Sequence, residues 1–427
     1  MSKPTAHVQG IPVTELTERF GTPLFVYDTQ VLAKTFQNLS AVLPDGVDVL
    51  YSLKANPNIS VCSFLGRQGA GAEVSSRTEL ITALRAGVDA ADIIFLGPGK
   101  TRTDLEACVA AGIYAVVCES TAELRLLDEV VADRGAGRFP AMLRVNPSFH
   151  SKGSGLSMGG KPRQFGVDEK EVRDAGDLIR SLEHIKVKGF HAYMGTRFLD
   201  HQDVVENTRS ILAMAEELAA GLPMELSVVD FGGGLGVPYF ENESEIDTAE
   251  LGRSIRGPVE EFRARHPDCR IIMELGRFLT ADAGTYVTRA LYVKESMGET
   301  FVVADGGTNH HMAAVGIGSF VKRNFPVVHL GRPEAPPAHT YTVTGPLCTP
   351  NDTLVKKARL PEVRPGDLLG IERSGAYGPT ASPGLFLSHG HPAEVLVHGG
   401  KAWLVRERDT PEEMLARQRL AEFEDVL

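Results

Sequence analysis

Eight times between about residues 28 and 280, the chain passes from a short apolar run into an amphipathic stretch. The apolar runs are DVLYSLK (48–54), GAEV (71–74), DIIFL (92–96), YAVVCE (114–119), AMLRVN (141–146), VKGFHAYM (187–194), LSVVDF (226–231) and IIMEL (271–275). They read as buried strands. SSRTELITALRAG, STAELRLLDEVVADRG and VVENTRSILAMAEELAAG, which lie between them, carry helical spacing. Ser75 or Ser76 followed by Glu79 is a candidate capping box, with Gly87 as the stop. Strands alternating with helices imply right-handed βαβ units and a parallel sheet. Eight strands close a (β/α)8 barrel. An open doubly wound sheet is the alternative that the pattern leaves standing.

After about residue 280 the texture changes. TYVTRALYVKESMGETFVVADGG, AHTYTVTGPL, GDLLGIERSGAYG and AEVLVHGGKAWLVRER alternate, are β-branched and are broken by turn residues. They predict a C-terminal antiparallel β domain. The 427 residues exceed one ordinary core, so the expected division is a barrel over 28–280 and a β domain over 281–427. Pro336 and Pro337 mark a loop, and PEEMLARQRLAEFEDVL reads as a charged terminal helix.

A hydrophobic fraction of 43% with 23% charged residues fits a globular protein. The net charge of −11, without a basic stripe, argues against nucleic acid as a partner. MSKPTAHVQG has no apolar signal core, and no run of about 18 apolar residues would span a membrane. The five cysteines (Cys62, Cys108, Cys118, Cys269 and Cys348) lack CxxC spacing, so reduced thiols in a cytoplasm are expected. His310 and His311 are adjacent, which is poor spacing for metal ligands, and no metal is expected.

The informative polar residues fall at strand ends. Lys54 ends the first strand, Glu73 the second, Arg144 the fifth, and His191 with Tyr193 the sixth. Gly232, Gly233 and Gly234 follow the seventh; Glu274, Gly276 and Arg277 end the eighth. Barrel active sites form at that C-terminal face, often with phosphate held after strands seven and eight. Each residue has a bland reading: Lys54 snorkelling to water, GGGLG a tight turn. GGGLG is not a dinucleotide fingerprint, because Val237 stands where its third glycine would be. One lysine, one glycine nest and one carboxylate in a barrel mouth nevertheless point together to pyridoxal phosphate. Lys54 would hold it as a Schiff base, the glycines and Arg277 its phosphate, and Glu274 its protonated pyridine nitrogen.

At these residues SLKAN, GGGLG, ELGR, GPLCTPND and SGAYG resemble the motifs of fold-type III pyridoxal-phosphate decarboxylases, the ornithine/diaminopimelate/arginine decarboxylase group. The resemblance runs from FGTPLFVYD to FLSHGHPAEVL. GPGK, GGKPRQFGVD and SGAYG followed by FL are similar in wording to carrier-protein-dependent glutamyl decarboxylases of butirosin biosynthesis and to exosortase-associated decarboxylases. The resemblance implies an alanine-racemase-type barrel and a C-terminal β domain joined by the N-terminal segment 1–27. It implies removal of the α-carboxylate of an amino acid, free or carrier-bound. Lys54 matches the Schiff-base lysine, and Tyr377 a phosphate contact. Cys348 matches a cysteine supplied across a dimer interface to handle the proton returned to the substrate carbon, so a homodimer with shared sites is expected. Cofactor contacts are thus expected from Lys54, Glu73, Arg144, Tyr193, Thr196, Gly233, Gly234, Glu274, Gly276, Arg277 and Tyr377. Substrate contacts are expected from Arg323, Thr349, Asp352 and Tyr377.

The chain also departs from the family. Tyr193 stands at the ring-stacking histidine, with Thr196 at the following serine and His191 two residues earlier. Leu275 replaces a proline. The position after Cys348, acidic in enzymes for diamines and diaminopimelate, is Thr349, and Val327 stands where the diaminopimelate enzymes have a tyrosine. Lys322 and Arg323 suit an anionic or carbonyl-bearing tail, or form a solvated loop pair. Diaminopimelate decarboxylation and racemisation on the same fold are the enzymatic alternatives. Glu274 weighs against racemisation, because racemases of this type place an arginine at the ring nitrogen. A barrel-only cofactor carrier is the non-enzymatic alternative, against which the β domain argues.

Overall fold

The computed structural model describes residues 6–150, 153, 155–315 and 323–421. The chain divides into two compact units, Thr29–Ala283 and Met1–Asp28 with Gly284–Leu427.

In the first unit eight parallel strands close into a barrel. They are β1 (Val47–Ser52), β2 (Gly71–Val74), β3 (Ile93–Phe95), β4 (Ala115–Cys118), β5 (Phe139–Asn146), β6 (Ile185–His191), β7 (Val228–Gly233) and β8 (Arg270–Leu275). Each pairs with the next, and β8 pairs with β1, which excludes the open sheet.

Because side chains alternate along a strand, every second residue faces the barrel axis. Leu50, Ile94, Val117, Met142, Val228 and Ile272 form a buried cluster inside. Burying such side chains stabilises the barrel by roughly 1.5–3 kcal/mol each. Two positions further on, the inward residues include Glu119, Arg144, Asp230 and Glu274. The same unit therefore carries an apolar plug beneath a polar rim.

Caps fix where each strand stops and its helix starts. Ser76 Oγ accepts the Glu79 N–H, and Glu79 Oε2 accepts the Ser75 N–H, opening the helix Arg77–Arg85. The helix Thr121–Arg134 repeats the arrangement with Ser120 and Glu123, the Glu119 N–H donating to Glu123 Oε2. Such a cap contributes about 1 kcal/mol.

In the second unit the strands are β9 (Gly284–Ser296), β10 (Glu299–Ala304), β11 (Val327–His329), β12 (His339–Thr344), β13 (Thr353–Leu360), β14 (Leu368–Ile371), β15 (Ala393–His398) and β16 (Lys401–Arg406). An N-terminal strand, Leu24–Asp28, lies between β9 and β15. Leu24, Val26, Val287, Val395 and Val397 share one core.

Two expectations are corrected here. The sheet is mixed rather than antiparallel, because Leu24–Asp28 pairs parallel to β15 and β10 pairs parallel to β12. Parallel neighbours need long crossovers, which local turn signals do not reveal. The terminal helix covers only Pro411–Leu415 and buries none of its side chains. A short helix without a packed face has little to sustain it. Residues 422–427 lie outside the described residues. Among the described residues no helix is long and apolar enough to cross a membrane.

β6 and β7 approach closely at Gly189, where an added Cβ would fall 1.7 Å from the Val228 carbonyl oxygen. Gly189→Ala should therefore destabilise the protein by about 2–4 kcal/mol. Gly221→Ala, at a position with open space, is the control and should shift the urea midpoint little in either direction.

Candidate active site at the barrel mouth

β1 ends at Ser52, and Lys54 sits in the 3₁₀ turn Leu53–Ala55 that follows. The turn is fastened on its far side. Tyr51 Oη donates to the Asn56 carbonyl at 2.7 Å, and Asn58 caps the helix Ile59–Arg67. Lys54 is half-buried, and its Nζ lies 3.0 Å from Glu73 Oε2. Glu73 is fully buried, and its Oε1 accepts the Ser75 hydroxyl at 2.9 Å. The amine also lies 5.6 Å from the centre of the Tyr193 ring. Lys54 therefore faces into the mouth, which removes the snorkelling explanation.

Tyr193 packs against the glycine nest, since a Cβ on Gly232 would meet its ring at 2.7 Å. Gly232 and Gly234 both have left-handed backbones, with φ of +67° and +75°, which L-residues adopt only with strain. Gly233 borders Glu274 across the β7–β8 pairing. Thr196 is half-buried, and its carbonyl accepts the Gly155 N–H. Gly276 packs on Ala55 beside the Lys54 turn. Arg277 Nη1 donates to Tyr239 Oη at 2.9 Å.

Elsewhere on the rim, Arg144 Nη1 donates to Glu119 Oε1 at 3.0 Å, with both side chains buried. Glu119 also accepts the N–H groups of Gly97 and Gly166. Lys100 Nζ pairs with Glu123 at 2.7 Å and donates to the Gly97 carbonyl. Arg144 is thus held by a carboxylate that two backbone N–H groups fix in place.

Glu274 is buried beside His191, whose Nε2 is 3.5 Å from its Oε2. Burial works against ionising Glu274. His191 and Lys54 outweigh it and bring the carboxyl down to about 2.

In the β unit, Cys348 is exposed, whereas the other four cysteines are buried. Burial pushes the thiols of Cys62, Cys108 and Cys269 up to about 12, so they are inert at neutral pH. Thr349 and Tyr377 are half-buried, Tyr377 with φ of +55°, and Arg323 is exposed. Lys322 lies outside the described residues. Asp352 is the remaining expected substrate contact. It is buried, and its carboxylate accepts the Thr308 N–H and Oγ–H and the Leu347 N–H at 2.7–3.0 Å. Those bonds occupy the carboxylate and order the loop that carries Cys348. His310 and His311 are buried, with Nε2 bonded to the Gly390 carbonyl and to Ser374 Oγ respectively.

Glu119, Asp230, Lys100 and Tyr239 belong to this mouth but were missed in the sequence. Glu119 and Asp230 carried the signal that exposed Lys54, a charged residue at or next to the end of an apolar run in YAVVCE and LSVVDF. Tyr239 gave none, because nothing local marks it as the partner of Arg277.

Residues 29–281 match the family described as pyridoxal-dependent decarboxylase, pyridoxal binding domain. Over nearly its whole length the chain is similar to L-glutamyl-[BtrI acyl-carrier protein] decarboxylase of Niallia circulans, 37% identical with 95% of this chain and 96% of that one covered. It is similar to diaminopimelate decarboxylase of Pseudomonas aeruginosa at 31% identity, with 96% of each covered. Among solved structures, diaminopimelate decarboxylase from Helicobacter pylori complexed with L-lysine is similar with a TM-score of 0.85 and 29% identity, covering 95% of this chain and 98% of that one. The fold and motifs that converge on Lys54 thus place the chain in the pyridoxal-dependent decarboxylase family, as a pyridoxal-phosphate-dependent amino-acid decarboxylase.

Proposed function

We propose that the substrate is an α-amino acid tethered through its side chain to an acyl carrier protein, rather than a free diamino acid. The observation that carries this reading is the loop after Cys348. Thr349 stands at the position expected to be acidic for a distal amine, and the nearby Asp352 carboxylate is committed to Thr308 and Leu347. A second ammonium would find no available carboxylate in that loop. The similarity to a decarboxylase named for a carrier-bound glutamyl group supports the same choice.

The barrel mouth fits pyridoxal phosphate. Glu274 Oε1 is buried without a hydrogen-bond partner among the described residues, and an ionised oxygen in that state calls for a donor such as a pyridinium N–H. Lys54 would hold the cofactor's aldehyde carbon. Gly233, Gly234, Gly276 and Arg277 would hold its phosphate, and Tyr193 would cover its ring. When bound, the cofactor supplies an electron sink for the carbon that loses CO2. Glu274 keeps that sink effective by staying anionic. Glu73 orients the Lys54 amine, Arg144 holds a fixed positive charge at the rim, and Cys348 returns a proton to the carbon.

Cys348 is exposed on its own chain, which suits a thiol that completes the site of a second copy in a C2 homodimer. A cytoplasmic location fits its reduced state. Arg323 and Thr196 are assigned to the substrate tail and the cofactor respectively, on their motif positions.

Mass spectrometry should register CO2 loss from an α-aminoacyl group on a phosphopantetheinylated carrier, and little from free glutamate, ornithine or diaminopimelate. Efficient turnover of a free diamino acid would contradict the assignment. Shared sites are tested by mixing inactive Lys54→Ala and Cys348→Ala proteins. Random exchange gives mixed dimers with one intact site, so activity should recover to about a quarter of wild type. No recovery despite demonstrated exchange would mean that each chain completes its own site.

A further inference from the structure

The roles above leave out His191 and Asp230, two buried titratable side chains in the mouth. They stand on the neighbouring strands β6 and β7, directly paired in register, and Glu274 stands on the next strand, β8. His191, Asp230 and Glu274 are 1%, 0% and 2% exposed. One polar atom of each lies within 4.8 Å of the others. Neither ring nitrogen of His191 has a hydrogen-bond partner among the described residues, and Nε2 lies 3.5 Å from Glu274 Oε2. Asp230 Oδ1 accepts the Gly232 N–H at 2.8 Å, while its buried Oδ2 is without a partner. Two carboxyls buried this close repel too strongly for both to ionise.

We propose that His191 and Asp230 are positioning residues for Glu274, together confining a single negative charge to its carboxylate and aiming Oε1 at the cofactor's ring nitrogen. This rests on the reading that Glu274 faces that nitrogen. Oδ1 of Asp230 is engaged as an acceptor, so Oδ2 is the oxygen that carries the proton. His191 presents Nε2 to the other oxygen of Glu274 and leaves Oε1 for the cofactor.

The titration directions agree. Burial first, and then the Glu274 charge, push Asp230 well above the usual carboxylate range, while Glu274 is lowered. The charged groups flanking the trio are the Lys54–Glu73 pair at 3.0 Å and Arg144, which pairs with His191 in register on β5. If the charge were shared with Asp230, Glu274 would spend time protonated and could not hold a pyridinium opposite it.

The nitrogen-15 shift of the ring nitrogen in the holoenzyme, loaded with labelled pyridoxal phosphate, reads this directly. Wild type and Asp230→Asn should both show a protonated ring nitrogen, because an amide reproduces a neutral carboxyl. His191→Leu should move the shift toward the unprotonated value and lower kcat by at least about 10-fold, as should Glu274→Gln. His191→Gln, which keeps a hydrogen-bond donor of similar reach, should restore most of the protonated signal; it also serves if the leucine variant fails to fold.

A wild-type shift in the folded His191 variants alongside a moved shift in Glu274→Gln would overturn the positioning role. So would Asp230→Asn behaving like Glu274→Gln. An unmoved shift in Glu274→Gln would instead remove the reading on which the proposal rests. Stoichiometric Zn2+ binding by the apo-protein, lost in His191→Gln, would also overturn it, because three such ligand atoms could hold a cation.

Discussion

The pairing of β8 with β1 is the constraint on which the rest depends. Glu274 and Leu275 pair with Leu50 and Tyr51, so the last barrel strand is locked beside the first. Lys54 and Glu274 are far apart in sequence, and only ring closure places both at one mouth. Parallel strands then stack their inward residues into layers, apolar below and ionisable above. Burying a charge costs several kcal/mol unless partners compensate it. The rim is therefore built from pairs rather than from single ions.

Those pairs fall into two groups. Glu119, Arg144, Lys100 and Glu123 form two buried ion pairs, in which the Glu119 carboxylate alone accepts from Arg144, Gly97 and Gly166. Its chemistry is spent on holding the loops after β3 and β5. Lys54, Glu73, His191, Asp230 and Glu274 form the second group, and it is less fully satisfied. The buried oxygens Glu274 Oε1 and Asp230 Oδ2 and both His191 nitrogens have no partner among the described residues. A protein keeps such groups where a ligand or a shared proton completes them. That contrast separates the chemical half of the rim from the structural half.

Much of this was legible in the sequence because the signals are local. An apolar run that ends on Lys54, Glu73 or Glu274 marks an inward position at a strand's end, and a glycine triplet marks a close backbone approach. What was illegible depends on distant pairing. The parallel joins of Leu24–Asp28 to β15 and of β10 to β12 cross long stretches of chain, so the sheet read as antiparallel. The position of Asp352 after Cys348 was visible, whereas its bonds to Thr308 were not. Tyr239 became meaningful only when Arg277 was found against it.

The central claim is that Lys54, and no other amine, anchors the cofactor at this mouth. Borohydride reduction of the holoenzyme followed by peptide mapping measures it directly. The account predicts one stable pyridoxyl adduct per chain, on Lys54, and none on Lys100, whose amine is paired with Glu123. Label on any other lysine, or a loaded protein with no covalent label, would contradict it.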